Sequence, residues 1–85
     1  MKTIFSDRYK QILETLVHAR HECNFTQSEL AAQLNKPQSY VSKYEHGERR
    51  VDVIELIEIC RALQISATDL VEDIERDFKN AQDKT

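Results

Sequence analysis

Residues 25–47 read FTQSELAAQLNKPQSYVSKYEHG and decide the fold. Thr26 and Glu29 have the spacing of a capping box, in which each side chain accepts a hydrogen bond from the backbone N–H of the other residue. This pair predicts that a helix begins at Gln27. The apolar residues that follow lie on one face of about two helical turns, which should end at Asn35.

A second helix is expected directly after this one. Asparagine adopts the left-handed conformation more readily than most residues with a side chain, so Asn35 can reverse the chain. Pro37 cannot continue the first helix, but proline suits the first turn of a new one. The second helix is expected from about residue 37 to residue 45 or 46, with Gly47 as its C-terminal stop. The two helices predict a helix-turn-helix.

The second helix has a small apolar face, because only Val41 and Tyr44 are expected to point inward. Its remaining surface is polar and consists of Gln38, Ser39, Ser42 and Lys43. Side chains of these types hydrogen-bond base edges, and a helix fits the major groove of B-DNA. The pattern alone leaves open a solvated helix that has no function in binding.

The motifs T-Q-x-E-L-A, from residue 26, and P-Q-S-Y-V-S-K-Y-E-H-G, from residue 37, resemble the Cro and phage-repressor (Xre) family of transcriptional regulators. The resemblance covers residues 8–71. It implies an all-α, five-helix, lambda-repressor-like DNA-binding domain in which the last helix is extended. By position, it also implies that Ala31 lets the two helices approach and that Val41 anchors the recognition helix in the core.

The resemblance further implies which residues contact DNA. Bases would be read by Gln38, Ser39, Ser42 and Lys43. Gln27 resembles the family's glutamine that contacts a phosphate at the helix start. From their place in or beside the recognition unit, phosphate contacts are also expected from Lys36, Tyr40, Arg49 and Arg50. Arg20 and Glu45 resemble the family's ion pair between the first helix and the recognition helix. Such a pair is physically sensible, because a guanidinium flanked by apolar residues needs a partner.

A first helix is predicted before this unit. Ser6 is its expected N-cap, and the helix should run over Asp7–Glu22. Asp7 is favourably placed against the positive end of the helix dipole. The inward stripe is expected to be Ile12, Leu16, Ala19 and Cys23.

Two more helices are predicted after the unit, each opened by the same capping pattern. Asp52 with Glu55 predicts a helix that begins at Val53 and ends near Gln64. Its core face should be Leu56, Ile59, Cys60 and Leu63, and its solvated face Glu55, Glu58 and Arg61. Ser66 with Asp69 then opens the last helix.

The last helix carries an apolar strip that extends past the residues a small core requires. The strip consists of Val71, Ile74 and Phe78, between acidic residues. It could pack against Ile4 and Phe5 of its own chain. We favour a second subunit instead, because isologous dimers are the commonest assemblies. Residues 80–85 are polar and are expected to fray.

Length and composition indicate one domain of 85 residues. It divides into an N-terminal arm (1–5), a helix-turn-helix core (6–73) with the recognition unit (26–47), and a C-terminal extension and tail (74–85). With one Gly, one Pro and no Trp, the composition favours helices throughout. The start MKTIF is followed by SDRYK rather than a long apolar run, so we expect neither a signal peptide nor a membrane span. We therefore expect a cytoplasmic protein.

The net charge of −3 is unevenly distributed. Residues 1–50 carry eight Lys or Arg and six Asp or Glu, a net +2, whereas residues 51–85 carry four and nine, a net −5. Local potential governs phosphate contact, and Lys36, Lys43, Arg49 and Arg50 lie in or beside the recognition unit. The alternative, that any single one of these residues belongs to an ordinary surface of mixed charge, stays open.

No catalytic or cofactor pattern occurs. Cys23 and Cys60 lack metal-ligand spacing and are expected to be reduced core residues. The alternative, a metal site of Cys23 with His18 and His21, is disfavoured because these residues lie on mixed faces of one helix. No enzyme, cofactor, metal or small-molecule ligand is expected. The predicted function is a homodimeric regulator, most simply a repressor, on double-stranded DNA. The alternative is a protein-interaction module that keeps the fold without binding DNA and works through its acidic C-terminal half.

Overall fold

Five α-helices make up residues 6–83, which are the residues that this computed structural model describes, with side chains through Asn80. The helices are α1 (Asp7–Glu22), α2 (Gln27–Gln33), α3 (Gln38–Glu45), α4 (Val53–Ala62) and α5 (Ala67–Asp83). Residues 6–83 contain no strand, so the predicted all-α, five-helix architecture is confirmed. None of these helices is long and apolar enough to cross a lipid bilayer. The proposed arm, residues 1–5, lies outside the described residues.

The helix starts follow from local capping. The Ser6 hydroxyl accepts a hydrogen bond from the backbone N–H of Tyr9 at the start of α1. Reciprocal capping boxes open α2, at Thr26 and Glu29, and α4, at Asp52 and Glu55. At α5 the Ser66 hydroxyl accepts from the N–H of Asp69 at 3.1 Å. The predicted starts of α1, α2 and α4 are therefore confirmed to the residue.

Helices α1 to α4 end in a common way, with a left-handed residue one position beyond the C-cap. These residues are Asn24, Asn35, Gly47 and Gln64, with φ between 57° and 77°. After α2, the N–H of Asn35 donates to the Ala32 carbonyl and the N–H of Lys36 donates to the Ala31 carbonyl at 2.9 Å. This pair of bonds is the Schellman arrangement, which satisfies the last carbonyls of a helix. The left-handed turn predicted at Asn35 is confirmed.

The helices enclose one apolar core. Its buried residues are Leu13, Leu16, Ala19, Leu30, Ala31, Tyr40, Val41, Tyr44, Ile59, Cys60, Leu63 and Leu70. Both cysteines are free thiols, and Cys60 is buried whereas Cys23 is half-buried. The Cys23 thiol donates to the Leu63 carbonyl at 3.3 Å.

Two details of the predicted core were wrong. On α1 the stripe omitted Leu13, whereas its Ile12 and Cys23 are half-buried and pack against the core. The reason is that buried Arg20 faces α3, and Leu13 and Leu16 share its helical face at i−7 and i−4.

On α3, Val41 and Tyr44 were expected to be the only inward residues, but Tyr40 is buried as well. Its ring packs edge-to-face on that of Tyr44, with centroids 5.8 Å apart. This pairing is favourable between aromatic residues four positions apart on a helix.

Helix α5 packs along both α1 and α4. It is anchored by buried Leu70 and extends to Asp83, through the region where the sequence predicted a frayed tail from Asn80. Ile74 is half-buried and lies beside Ile12 of α1. The Arg8 guanidinium lies over the Phe78 ring, 3.7 Å from its centroid. The apolar strip of α5 is therefore partly covered by α1 of its own chain. The packing proposed as the alternative, against Ile4 and Phe5, falls outside the described residues.

Candidate nucleic-acid interface

The outer face of α3 is open to solvent. Gln38, Ser39 and Lys43 are exposed, and Ser42 is half-buried. The His46 ring nitrogen Nδ1 lies 2.7 Å from the Ser42 carbonyl and caps the end of this face. The structure therefore brings the four predicted base-reading residues onto one surface.

An amide bridge ties this surface to the interior. Gln38 Nε2 donates to the side-chain oxygen Oε1 of Gln27 at 2.8 Å, and Gln27 Nε2 in turn donates to Glu45 Oε1 at 2.9 Å. Gln27, which the family resemblance implies as a phosphate contact, is half-buried in this bridge. Its amide nitrogen carries two hydrogens, so one N–H remains beyond the bond to Glu45. The bridge limits the rotamers of Gln38, because its partner Gln27 is itself held by Glu45.

The bridge ends on an ion pair between α1 and α3. Arg20 Nε donates to Glu45 Oε2 at 2.7 Å, and Arg20 Nη2 donates to Glu45 Oε1 at 3.1 Å. Arg20 Nη1 donates to the Phe25 carbonyl at 2.8 Å. The hydrogen bond to Glu45 raises the pKa of Arg20, so the guanidinium stays charged. These are the two residues that the family resemblance links.

A second cluster lies beside α3, around the Tyr40 ring. The Arg49 guanidinium lies 4.6 Å and the Lys36 ammonium 5.4 Å from its centroid. Both distances are within the range of cation–π attraction. Burial raises the pKa of Tyr40, so its hydroxyl stays protonated. Tyr40, expected as a phosphate contact, is mostly buried and supports two cations.

Glu55 of α4 holds the guanidinium of this cluster. Arg49 Nη2 and Nη1 donate to the two Glu55 oxygens at 2.6 and 3.1 Å. The Arg49 hydrogen bond, followed by that of the Asp52 N–H, lowers the pKa of Glu55 to about 2. Glu55 was predicted on the solvated face of α4, and its pair with Arg49 was not predicted. The capping box located Glu55 correctly, but no local pattern links it to a residue six positions earlier.

Arg50 is held on the other side of the same loop. Its guanidinium lies 5.1 Å from the centroid of the Tyr9 ring. The Tyr9 hydroxyl accepts a hydrogen bond from the Val51 N–H at 2.9 Å. Tyr9 was not singled out from the sequence. The loop between α3 and α4 is thus attached to α1 as well as to α4.

A separate apolar surface lies at α4 and α5. Val71 and Phe78 of the predicted dimer face are 51% and 49% exposed, whereas Ile74 is less so. Next to Val71, a groove of about 670 Å³ between α4 and α5 is lined by apolar residues that include Val53 and Ile57. Both are exposed, and Val53 is 71% exposed. Val53 and Ile57 were not predicted as part of a surface, although they are apolar residues that lie off the expected core stripe of α4.

The side chains of the described residues form no group of three or more His, Cys, Asp or Glu that could hold a metal ion. His18 instead lies 4.0 Å from Glu22 on the exposed side of α1. Arg20 Nη2 lies 3.4 Å from the His21 ring. The two histidines near Cys23 therefore have separate surroundings.

The sequence model of one family, described as Helix-turn-helix (HTH_3), matches residues 18–70. The chain belongs to this helix-turn-helix family. An HTH-type transcriptional regulator of Sinorhizobium fredii (strain NBRC 101917 / NGR234), y4dJ, is 35% identical over 65 residues, which are 76% of this chain and 84% of y4dJ. Together with the XRE-family structure described next, these matches confirm the Xre-type resemblance, and the relatives are transcriptional regulators.

Solved helix-turn-helix structures agree with the fold. An XRE-family like protein from Pseudomonas syringae pv. tomato str. DC3000 matches with a TM-score of 0.78 and 45% identity, over 81% of this chain and 84% of that one. The restriction-modification controller protein C.Esp1396I matches with a TM-score of 0.73 over 89% of this chain and 99% of its own. At 22% identity, the controller protein supports the fold alone.

Proposed function

We propose that this helix-turn-helix protein binds double-stranded DNA sequence-specifically as a homodimeric transcriptional regulator, most simply a repressor that occludes a promoter. The observation that carries the proposal is the outer face of α3. Gln38, Ser39, Ser42 and Lys43 share it, and Gln38 is positioned by the bridge to Gln27. Amide, hydroxyl and ammonium groups are those that read base edges in the major groove. A pre-positioned reading group loses less entropy on binding.

Phosphate contacts are proposed beside this face. Lys36 precedes α3, and Arg49 and Arg50 follow it along the chain, and the Lys36 and Arg49 cations both lie over the Tyr40 ring. Contacts of this kind set the register of a protein on the duplex without reading sequence. Gln27 retains one amide N–H for the same purpose. For Tyr40 we propose a supporting role, because its ring is buried beneath Lys36 and Arg49.

The homodimer is proposed through the exposed apolar residues of α5 and the groove beside them. Val71 borders both the strip that includes Phe78 and the groove that includes Val53 and Ile57, so the apolar surface is continuous. Arg61, Glu72 and Glu75 also line the groove, so its rim carries both charges. A surface with apolar centre and mixed charge suits a second copy of the same chain, because a two-fold interface must be self-complementary. Two-fold related α3 helices imply a near-palindromic operator.

The decisive experiment is selection of bound sites from a pool of random duplexes, followed by a salt titration with the selected site. The proposal expects an enriched near-palindrome and an affinity that falls steeply with salt. No binding at low salt would contradict it. That result would favour the second candidate, a protein-interaction module, which the net charge of −5 over residues 51–85 supports.

A further inference from the structure

Glu55 occupies an unusual place for a carboxylate in a surface proposed to meet DNA. Its oxygen Oε1 accepts from the Asp52 N–H at 3.0 Å and from Arg49 Nη1 at 3.1 Å, and Oε2 accepts from Arg49 Nη2 at 2.6 Å. The side chain is 17% exposed, compared with 38% for Arg49. Glu55 is therefore both the capping residue of α4 and the anchor of Arg49.

The remaining contacts define which edge of Arg49 is left for a ligand. Nη1 uses its second hydrogen on the Arg50 carbonyl at 3.0 Å, and the guanidinium lies over the Tyr40 ring. Glu55 thus binds the Nη1–Nη2 end of the guanidinium. The Nε–H and the second Nη2–H lie on the adjacent edge of the planar group and have no partner among the described residues. Two parallel N–H donors on one edge match two oxygens of a phosphate.

We propose that Glu55 is a positioning residue for DNA binding, which orients Arg49 so that its Nε–Nη2 edge receives a backbone phosphate. The inference rests on the proposed function and deepens it. In the absence of Glu55, the guanidinium on its flexible stem would sample several orientations, and fewer of them would bind phosphate with both donors. Glu55 therefore strengthens DNA binding although its charge repels DNA.

The test removes the negative charge of Glu55, since loss of a charge that only repelled DNA would strengthen binding, whereas loss of a positioning residue would weaken it. Glu55→Gln and Glu58→Gln remove the same charge from the same helix, and Glu58 is exposed. Affinity for the selected duplex is measured by fluorescence anisotropy, and folding by circular dichroism melting. We expect Glu58→Gln to bind as tightly as the wild type or more tightly, because a repulsive charge is lost. Glu55→Gln should bind roughly fivefold to tenfold more weakly, as expected when one hydrogen bond of ordinary strength is lost. Equal or tighter binding by Glu55→Gln would overturn the inference.

A double mutant separates positioning from a general effect on the fold. In an Arg49→Ala background, Glu55→Gln should no longer weaken binding, because the residue through which it acts is absent. A loss that persists in that background would overturn the inference.

Arg49→Lys supplies a second variant that keeps the charge. It should weaken binding about as much as Glu55→Gln. A planar guanidinium can bind Glu55 with one edge and a phosphate with another, whereas a lysine ammonium has no such pair of edges. Full affinity of Arg49→Lys would contradict the proposal. If the wild type binds no duplex at low salt, the proposed function itself fails. If the wild type binds and the variants do not differ from it, only the role of Glu55 fails.

Discussion

Arg20 of α1 and Glu45 of α3 form a two-point ion pair whose side chains are only 10% and 6% exposed. The pair connects the first helix to the recognition helix, and through Gln27 it reaches Gln38 on the outer face. Stability and the proposed base reading therefore depend on the same carboxylate.

Glu45→Ala should lower the free energy of unfolding by about 3 to 5 kcal/mol, because it leaves the buried Arg20 guanidinium without its anionic partner. The matched control is Glu48→Ala, since Glu48 is exposed in the loop after α3 and its loss should cost little. Urea denaturation of both variants measures the difference. Equal unfolding free energies would show that the pair adds nothing to stability.

Base-reading and phosphate-contacting residues should differ in how they respond to sequence and salt. Lys43→Ala and Gln38→Ala should each reduce the preference for the selected site over random duplex by about 1 to 3 kcal/mol. Arg50→Ala should weaken binding to all duplexes alike and flatten the salt dependence by about one unit. Binding to selected and random duplexes over a salt series provides the comparison. Equal losses on both duplexes for all three variants would contradict the assignment of α3.

Two tyrosine hydroxyls offer a direct contrast in hydrogen bonding. The Tyr44 hydroxyl is buried and has no hydrogen-bond partner among the described residues, whereas the Tyr9 hydroxyl accepts from the Val51 N–H. Tyr44→Phe should therefore leave stability unchanged or raise it, because it removes a desolvated polar group without breaking a bond. Tyr9→Phe should cost about 1 kcal/mol. Thermal denaturation of both variants checks the order, and a larger loss for Tyr44→Phe would refute it.

Stability should also fall in alkali because of Tyr44. Burial raises its pKa well above the ordinary value of 10.0. Above pH 10 the unfolded chain loses this proton while the folded protein keeps it. The contribution of Tyr44 to the free energy of unfolding is therefore complete below pH 10 and is lost as the pH rises further. Tyr44→Phe should show a shallower loss than the wild type in urea denaturation between pH 9 and pH 11. Both proteins retain Tyr40 and Cys60, so their titration does not affect the difference. If the free energy of unfolding fell equally steeply with pH in both proteins, Tyr44 would not be the cause of the alkaline loss.

The dimer proposal predicts a monomeric variant that still folds. Val71→Glu with Phe78→Glu places two charges on the exposed strip, and it spares Ile74, which is half-buried beside Ile12. The variant should sediment as a helical monomer and bind the operator roughly 100-fold more weakly or worse. In a dimer, binding of one recognition helix holds the second one close to its half-site, and a monomer lacks this gain. Half-site centres in the selected operator should lie about 34 Å, or 10 base pairs, apart.

The control for this variant is Ile54→Glu, since Ile54 is 64% exposed on α4 and does not line the groove. It should remain a dimer. A Val71→Glu and Phe78→Glu variant that still dimerises and binds DNA would rule out this face as the interface.

The sequence by itself determined the helix starts and the turn of the recognition unit. Thr26 with Glu29, and Asp52 with Glu55, place two helix starts to the residue, because a capping box involves atoms only three residues apart. Asn35 behaves as predicted for the same reason, since the left-handed conformation depends on the residue and its immediate neighbours. Such features need no knowledge of how the helices pack.

Only the tertiary structure decided how these helices are rotated and which distant side chains meet, apart from the Arg20–Glu45 pair, which the family resemblance implied. Leu13 belongs to the core because α1 turns Arg20 toward Glu45, twenty-five positions away along the chain. Glu55 holds Arg49 because the loop after α3 returns its guanidinium to the first turn of α4. Each pairing depends on the positions of two helices in space, and periodicity along one helix carries no information about the orientation of the other.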